Sequence, residues 1–240
     1  MDVGGAPLTE VFRWVDLTGV LANAVLGGVI ARSARLDPIG FAILAILSGL
    51  GGGMIRDTLL QHGPPVALTD SAYIITALVG AAIAFLTRVE GRVWNRIWPL
   101  LDALALGAWA AAGAQKTLAV GLGWLPALLL GAITAVGGGF VRDVVLRRVP
   151  GILGGNTLYA TCALVASGVM VAFWHLDLVT LGTVLATLTG AVLCLLARWQ
   201  NWVLPVGDDE WSPARFVLER YADPTRWRQR VRGVRRRSRP

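Results

Sequence analysis

One seven-residue pattern occurs twice in this 240-residue chain, and each copy interrupts an apolar run long enough to cross a bilayer. Gly51-Gly52-Gly53-Met54-Ile55-Arg56-Asp57 returns 86 residues later as Gly137-Gly138-Gly139-Phe140-Val141-Arg142-Asp143. Each glycine weakens a helix by about 1 kcal/mol relative to alanine. The Arg-Asp pair that follows would lie at membrane depth, where charge is costly and marks function or a charge network. A chain that does this twice at a fixed interval builds something around the two breaks.

Composition places the chain in lipid. Hydrophobic residues make up 55% of it and charged residues 15%, against about a quarter charged in a soluble domain. Several apolar runs reach the roughly 18 residues a spanning helix needs. The expected fold is an all-α integral membrane protein with seven transmembrane helices, near 11–31, 38–61, 71–87, 98–115, 124–146, 157–174 and 178–197. Asp37-Pro38, Asp70-Ser71 and Asn156-Thr157 supply helix starts. No signal peptide is expected at the N-terminus. Cys162 and Cys194 lie in apolar runs and form neither a disulfide framework nor a metal-ligand spacing. No nucleophile-base set appears, so no enzyme is expected, nor any cofactor or tightly bound metal. The glycine run lacks the Lys-Ser/Thr ending of a phosphate loop.

At an offset of 86, residues 16–86 align with 102–172 without a gap, and 17 of 71 pairs are identical. Asp16/Asp102, Gly27/Gly113, Arg56/Arg142, Asp57/Asp143, Pro64/Pro150 and Tyr73/Tyr159 carry the weight, because apolar matches arise by chance. Each unit holds three spans, so tandem units enter the membrane from opposite sides. The expected organisation is an N-terminal segment (1–10), a three-helix repeat (11–97), an inverted repeat (98–176), a seventh helix (177–204) and an Arg-rich tail (205–240). Loops carrying Arg32, Arg35, Arg88, Arg92, Arg96, Arg147 and Arg148 face the tail's side. The positive-inside rule then puts the N-terminus outside and the C-terminus in the cytoplasm. The tail reads as a flexible solvated segment or as a dock for anionic lipid. Nothing marks a nucleic-acid reader.

Topology would give each half two carboxylates and one guanidinium: Asp16, Arg56 and Asp57 outside, Asp102, Arg142 and Asp143 inside. Helix neighbours at i and i+1 diverge, so the expected pairs are Arg56 with Asp16 and Arg142 with Asp102. Asp57 and Asp143 would then be left for a cation or a second partner. The triplets Gly51–Gly53 and Gly137–Gly139 either allow close helix packing or kink helices 2 and 5 and turn carbonyls toward a cavity. Asn23, Ser48, Thr58 and Thr134, with Thr18 and Thr76, are candidates for a polar path or for helix-helix hydrogen bonds. Tyr73 and Tyr159 read as interfacial anchors, and His62 and His175 as loop residues.

The doubled GGG-x-x-R-D, complete in both copies, resembles the prokaryotic branch of the trimeric intracellular cation (TRIC) channels, also labelled UPF0126 or glycine transporter. The likeness spans about residues 11–200. It implies a homotrimer with one pore per protomer, helices 2 and 5 kinked at the triplets, and conduction of K+ and Na+. Those ions would be the species found in the pore. Animal members carry a lysine-containing motif and a phosphoinositide at the break. This chain has glycines there, so that lipid role does not carry over. A carrier for a small zwitterion such as glycine is the alternative, and a membrane protein recruiting partners through its tail is a third. The setting implied is the plasma (inner) membrane of a prokaryote.

Overall fold

The computed structural model describes residues 5–89, 91–153 and 158–204. The tail expected at 205–240, and the proposed cap Asn156-Thr157, lie outside the described residues. Among the described residues eight α-helices follow in order: α1 (Gly5–Ser33), α2 (Pro38–Leu60), the single turn α3 (Val66–Thr69), α4 (Ser71–Leu86), α5 (Arg92–Ala119), α6 (Trp124–Val145), α7 (Tyr159–Trp174) and α8 (Val179–Trp199). A 3-10 turn, Gly151–Leu153, precedes α7 much as α3 precedes α4.

Among the described residues five helices are long and apolar enough to cross a membrane: α1, α2, α5, α6 and α8. Apart from the single turn α3, the other two, α4 and α7, have 16 residues each. At 1.5 Å per residue they reach about 24 Å, short of a hydrocarbon core of about 30 Å. Large apolar side chains point outward along the bundle, among them Ile39, Ile43, Ile75, Leu125, Leu129, Leu188 and Val192. A water-facing surface rarely carries so many, whereas acyl chains leave them at no cost.

Local sequence explains most helix ends. Asp37 Oδ1 accepts the Gly40 amide at 2.8 Å, and Pro38 occupies the first turn of α2. Asp70 Oδ1 accepts the Ala72 amide at 3.0 Å to start α4. Gln61 closes α2 in the left-handed region with φ 50°. The far end of α4 is capped by another helix: Arg32 Nη2 donates to the Ala84 and Phe85 carbonyls, both at 2.6 Å. A cation there offsets the negative end of the helix dipole.

Two sequence expectations change. Residues Arg92 to Ile97, expected in a loop, form the first turns of α5, and Pro99 lies inside that helix. A proline removes a single backbone hydrogen bond, and the turns before it still form. The same helix continues past Gln115, so Lys116 is helical rather than in a loop. Thr117 and Leu118, both buried, extend the packed face beyond the lysine.

The glycine triplets do not interrupt their helices: α2 and α6 run helical through all six residues. Their role is to let two backbones meet. A Cβ on Gly51 would lie 3.2 Å from Gly138 Cα, and one on Gly137 would lie 2.9 Å from Gly52 Cα. A Cβ on Gly52 would strike the Thr134 carbonyl, and one on Gly138 the Ser48 carbonyl. These contacts come in exchanged pairs, since 138 is the repeat position of 52 and 134 that of 48. Partner numbers fall as α2 numbers rise, so the two helices cross head to tail. The same symmetry recurs where Gly19 of α1 meets its own repeat counterpart, Ala105 of α5: a Cβ on Gly19 would lie 2.7 Å from Ala105 Cβ. Within each half one close contact is also copied, Gly27 against Leu44 and Gly113 against Leu130.

Around this crossing α1, α2 and α4 pack on one another, as do α5, α6 and α7. Helix α8 has no repeat counterpart and packs on α5 and α7. Small residues fill the contacts, as expected for helices packing in lipid. The buried set is mostly alanine, from Ala24 and Ala31 to Ala163, Ala166 and Ala186.

Candidate functional site

Two cavities flank the α2/α6 crossing. One, of about 310 Å³, is lined by Asp16, Gly53, Arg56, Asp57, Tyr73 and Lys116, among others. The second, of about 140 Å³, is lined by Asp102, Gly139, Arg142, Asp143, Tyr159 and Arg198, among others. Except for Lys116 and Arg198, these residues are repeat counterparts. Ser48 and Trp109 border both cavities. A third cavity of about 380 Å³, between α1, α4, α5 and α8, shares Asp16, Tyr73, Trp109 and Ala112 with the first.

Each triplet divides its labour. Its first two glycines are buried in the crossing, while the third faces a cavity. Gly53 and Gly139 have nothing closer to a would-be Cβ than the arginine of their own motif, at 3.8 Å and 3.7 Å.

The arginines do not pair as expected. Arg56 Nε donates to Asp57 Oδ1 at 2.7 Å, and Arg142 Nε donates to Asp143 Oδ1 at 2.9 Å. The spacing rule concerns Cβ directions, and a long arginine stem swings its Nε around to the neighbouring carboxylate. Nor do Asp57 and Asp143 stand unengaged. Asp57 Oδ2 accepts the Val66 amide at 3.0 Å, and Asp143 Oδ2 accepts the Gly151 amide at 3.4 Å, the latter at the weak end of hydrogen-bond length. Both carboxylates thereby hold the chain as it turns back after the glycine helix. Lys116 Nζ also reaches Asp57 Oδ1, at 2.7 Å.

Asp16 and Asp102 are held by neutral donors instead. Tyr73 donates its hydroxyl to Asp16 Oδ2, and Trp109 Nε1 donates to Asp16 Oδ1 at 2.6 Å. Tyr159 donates its hydroxyl to Asp102 Oδ1 at 2.9 Å. The two tyrosines are therefore half-buried partners of the aspartates, not interfacial anchors. Among the described residues no cation lies within ion-pair distance of either aspartate.

The charge expected in each half also changes. Lys116 joins the first cavity and Arg198 the second, so each holds two carboxylates and two cations. Arg198 makes no ion pair among the described residues; its guanidinium lies 5.0 Å from the Trp98 ring centroid.

The polar candidates separate. Ser48 lines both cavities, and its Oγ accepts from Arg142 Nη1 at 3.3 Å. Asn23 lines the Asp102 cavity and Thr134 the Asp16 cavity. Thr58 is exposed, donates to the Met54 carbonyl and borders neither cavity. Thr18 lies in a lateral apolar groove between α1 and α5. Among the described residues no three His, Cys, Asp or Glu side chains gather as a metal site. Sequence reasoning missed Trp109, Lys116, Trp98 and Arg198. Trp109 occupies the repeat position of Asn23, a polar donor in an otherwise apolar span, which was a usable signal.

An all-helical membrane protein with a duplicated three-helix unit and a charged cavity in each half is the class this architecture defines. A family model described as "Glycine transporter" matches the chain twice, at 13–88 and 99–175, with starts separated by the interval between the triplets. The UPF0126 membrane protein of Deinococcus radiodurans is 37% identical over 204 residues, covering 83% of this chain and 93% of its own. The UPF0126 inner membrane protein YadS of Escherichia coli K12 is 34% identical over 186 residues, 77% of this chain and 88% of its own. The chain belongs to this UPF0126/glycine-transporter family. Solved relatives agree in fold. One, from work on conductance through TRIC cation channels, superposes with a TM-score of 0.78 at 32% identity, over 84% of this chain and 100% of its own. The TRIC trimeric intracellular cation channel orthologue from Rhodobacter sphaeroides gives 0.71 at 28% identity, over 79% of this chain and 98% of its own.

Proposed function

We propose that this protein is a cation channel, a homotrimer in the cell membrane in which each protomer passes K+ and Na+ through its own pore. The route joins the two cavities at Ser48 and Trp109. One observation carries the reading: each cavity contains an aspartate whose hydrogen-bond donors are neutral. A carboxyl group held by Tyr and Trp donors has no cation of its own to offset it, and negative charge lining a low-dielectric cleft concentrates cations. The solved relatives are described as TRIC cation channels, one of them in 0.5 M KCl, which supports the same reading. A bend of α2 and α6 at the triplets when the pore opens belongs to it.

The head-to-tail crossing of α2 and α6 favours halves inserted in opposite senses. Arg32, Arg35, Arg88, Arg147 and Arg148 then lie on the cytoplasmic side, with the N-terminus outside. The Asp16 cavity opens outward and the Asp102 cavity inward. Purified protein in a planar bilayer should give discrete current steps that reverse near the K+ equilibrium potential in a KCl gradient. Absence of steps at both voltage signs, from protein that elutes as a folded oligomer, would reject a channel.

A second reading is a carrier for a small zwitterion such as glycine. The balance of two carboxylates and two cations in each cavity favours it, since both ends of a zwitterion then find a partner. Saturable exchange of labelled glycine across proteoliposomes, without steady current, selects that reading.

A further inference from the structure

We propose that Arg198 sets how the Asp102 cavity discriminates among cations by valence, an assignment that rests on the channel reading. The charged residues of the two cavities are repeat counterparts, except for the second cation of each. In the Asp16 cavity that cation is Lys116, fixed to Asp57 Oδ1 at 2.7 Å. In the Asp102 cavity it is Arg198, from the last turn of α8, the helix without a repeat counterpart. No carboxylate among the described residues lies within ion-pair distance of it. It is exposed, and its guanidinium is held 5.0 Å from the Trp98 ring centroid. The buried indole N–H of Trp98 has no hydrogen-bond partner among the described residues, and the arginine lies against its ring. The result is a positive charge held on the wall of the smaller cavity, opposing the attraction of Asp102.

Coulomb energy scales with the charge of the visiting ion. Whatever factor Arg198 imposes on a monovalent ion at the limiting point of the route, it imposes the square of that factor on a divalent one. Arg198 thereby lets K+ pass with modest loss while holding back Ca2+ or Ba2+. Screening shortens its reach to about 3 Å in 1 M salt, against about 10 Å at 0.1 M.

The test is single-channel recording of the full chain, with KCl or BaCl2 on the side facing the Asp102 cavity. Arg198→Gln is expected to raise K+ conductance about threefold and Ba2+ conductance about ninefold at low ionic strength, following the valence scaling. Both increases should shrink in 1 M KCl, and Arg198→Lys should behave like wild type. A Ba2+/K+ conductance ratio unchanged in Arg198→Gln overturns the assignment while leaving the channel intact. So does an equal rise for both ions, which indicates a packing change rather than a charge effect. If Arg198→Gln does not assemble, Trp98→Leu carries the test. It frees the guanidinium from its platform and should shift the ratio in the same direction by less, and an unshifted ratio overturns the assignment. A folded wild-type protein that passes no current overturns the channel reading and this assignment together.

Discussion

Alanine substitutions along a single glycine triplet should have opposite effects, although the residues are adjacent and the mutation is the same. At Gly52 the new methyl would strike the Thr134 carbonyl, a backbone atom of a packed helix that cannot rotate away. Overpacking of this kind costs about 1–3 kcal/mol, and a backbone obstruction belongs at the upper end. Alanine returns about 1 kcal/mol of helix propensity, which leaves a net loss of about 2 kcal/mol. For a chain of this size that lowers the melting temperature by about 4–8 °C. At Gly53 the nearest atom is Arg56 Nη2 at 3.8 Å, an ordinary contact with the far end of a flexible side chain. Gly53→Ala should therefore keep the propensity gain and melt at or above the wild-type temperature. Exchange symmetry doubles the experiment. Gly138→Ala meets the Ser48 carbonyl and should copy Gly52→Ala, while Gly139→Ala, 3.7 Å from Arg142 Nη2, should copy Gly53→Ala. The assay is thermal unfolding of the purified protein in detergent, followed by size-exclusion recovery after heating. Equal melting temperatures for Gly52→Ala and Gly53→Ala would refute the claim that the triplets exist to let α2 and α6 touch.

Tyr73→Phe and Tyr159→Phe each remove a donor to a carboxylate. Each should cost about 1.5–3 kcal/mol and lower the melting temperature, and unchanged melting in both would make these bonds dispensable. Lys116→Met leaves the Asp16 cavity with an extra formal negative charge. It should raise cation current in bilayers while costing only about 1 kcal/mol, since the lysine is 32% exposed; a fall in current would count against a carboxylate-lined route. Arg32→Ala uncaps α4 and removes a cation stacked 5.7 Å from the Phe41 ring centroid. Amide exchange near Ile83 to Leu86 should accelerate, with Arg32→Lys restoring only part of the protection because an ammonium lacks the planar fork.

How far the sequence discloses this molecule depends on which features the duplication copies. Asp16/Asp102 and Tyr73/Tyr159 stand among the matched pairs at the offset of 86. The structure bonds each aspartate to the tyrosine of its own half. Two polar side chains retained together in both halves of an apolar repeat were a readable sign of contact. Charge-pairing logic overrode it by seeking a cation for every buried carboxylate. The Arg56-Asp57 bond was hidden for a different reason. It depends on how one flexible side chain rotates, and periodicity carries no information about that. Lys116 was misplaced because the glycines at 121 and 123 mark a loop, while the helix end is set by tertiary burial of Thr117 and Leu118.

The copied features are backbone and hydrogen-bond features: the crossing glycines, the carboxylates that hold the turns, and the aspartate-tyrosine pairs. Of the four cations in the cavities, two are not copied. Lys116 corresponds to Ile30, and Arg198 has no counterpart at all. A route made of two identical halves would present the same electrostatic profile from either end, because exchange of the halves would map it onto itself. Placing a salt-bridged lysine in one cavity and a stacked arginine in the other removes that equivalence without disturbing the crossing. One lysine at the end of α5 and one arginine on α8 suffice, and neither lies among the glycines of the α2/α6 contact. Direction dependence in this protein should therefore follow from Lys116 and Arg198. Neutralising both should bring the current-voltage curve toward symmetry more closely than neutralising either one, and a curve of unchanged shape in the double variant would place the asymmetry elsewhere.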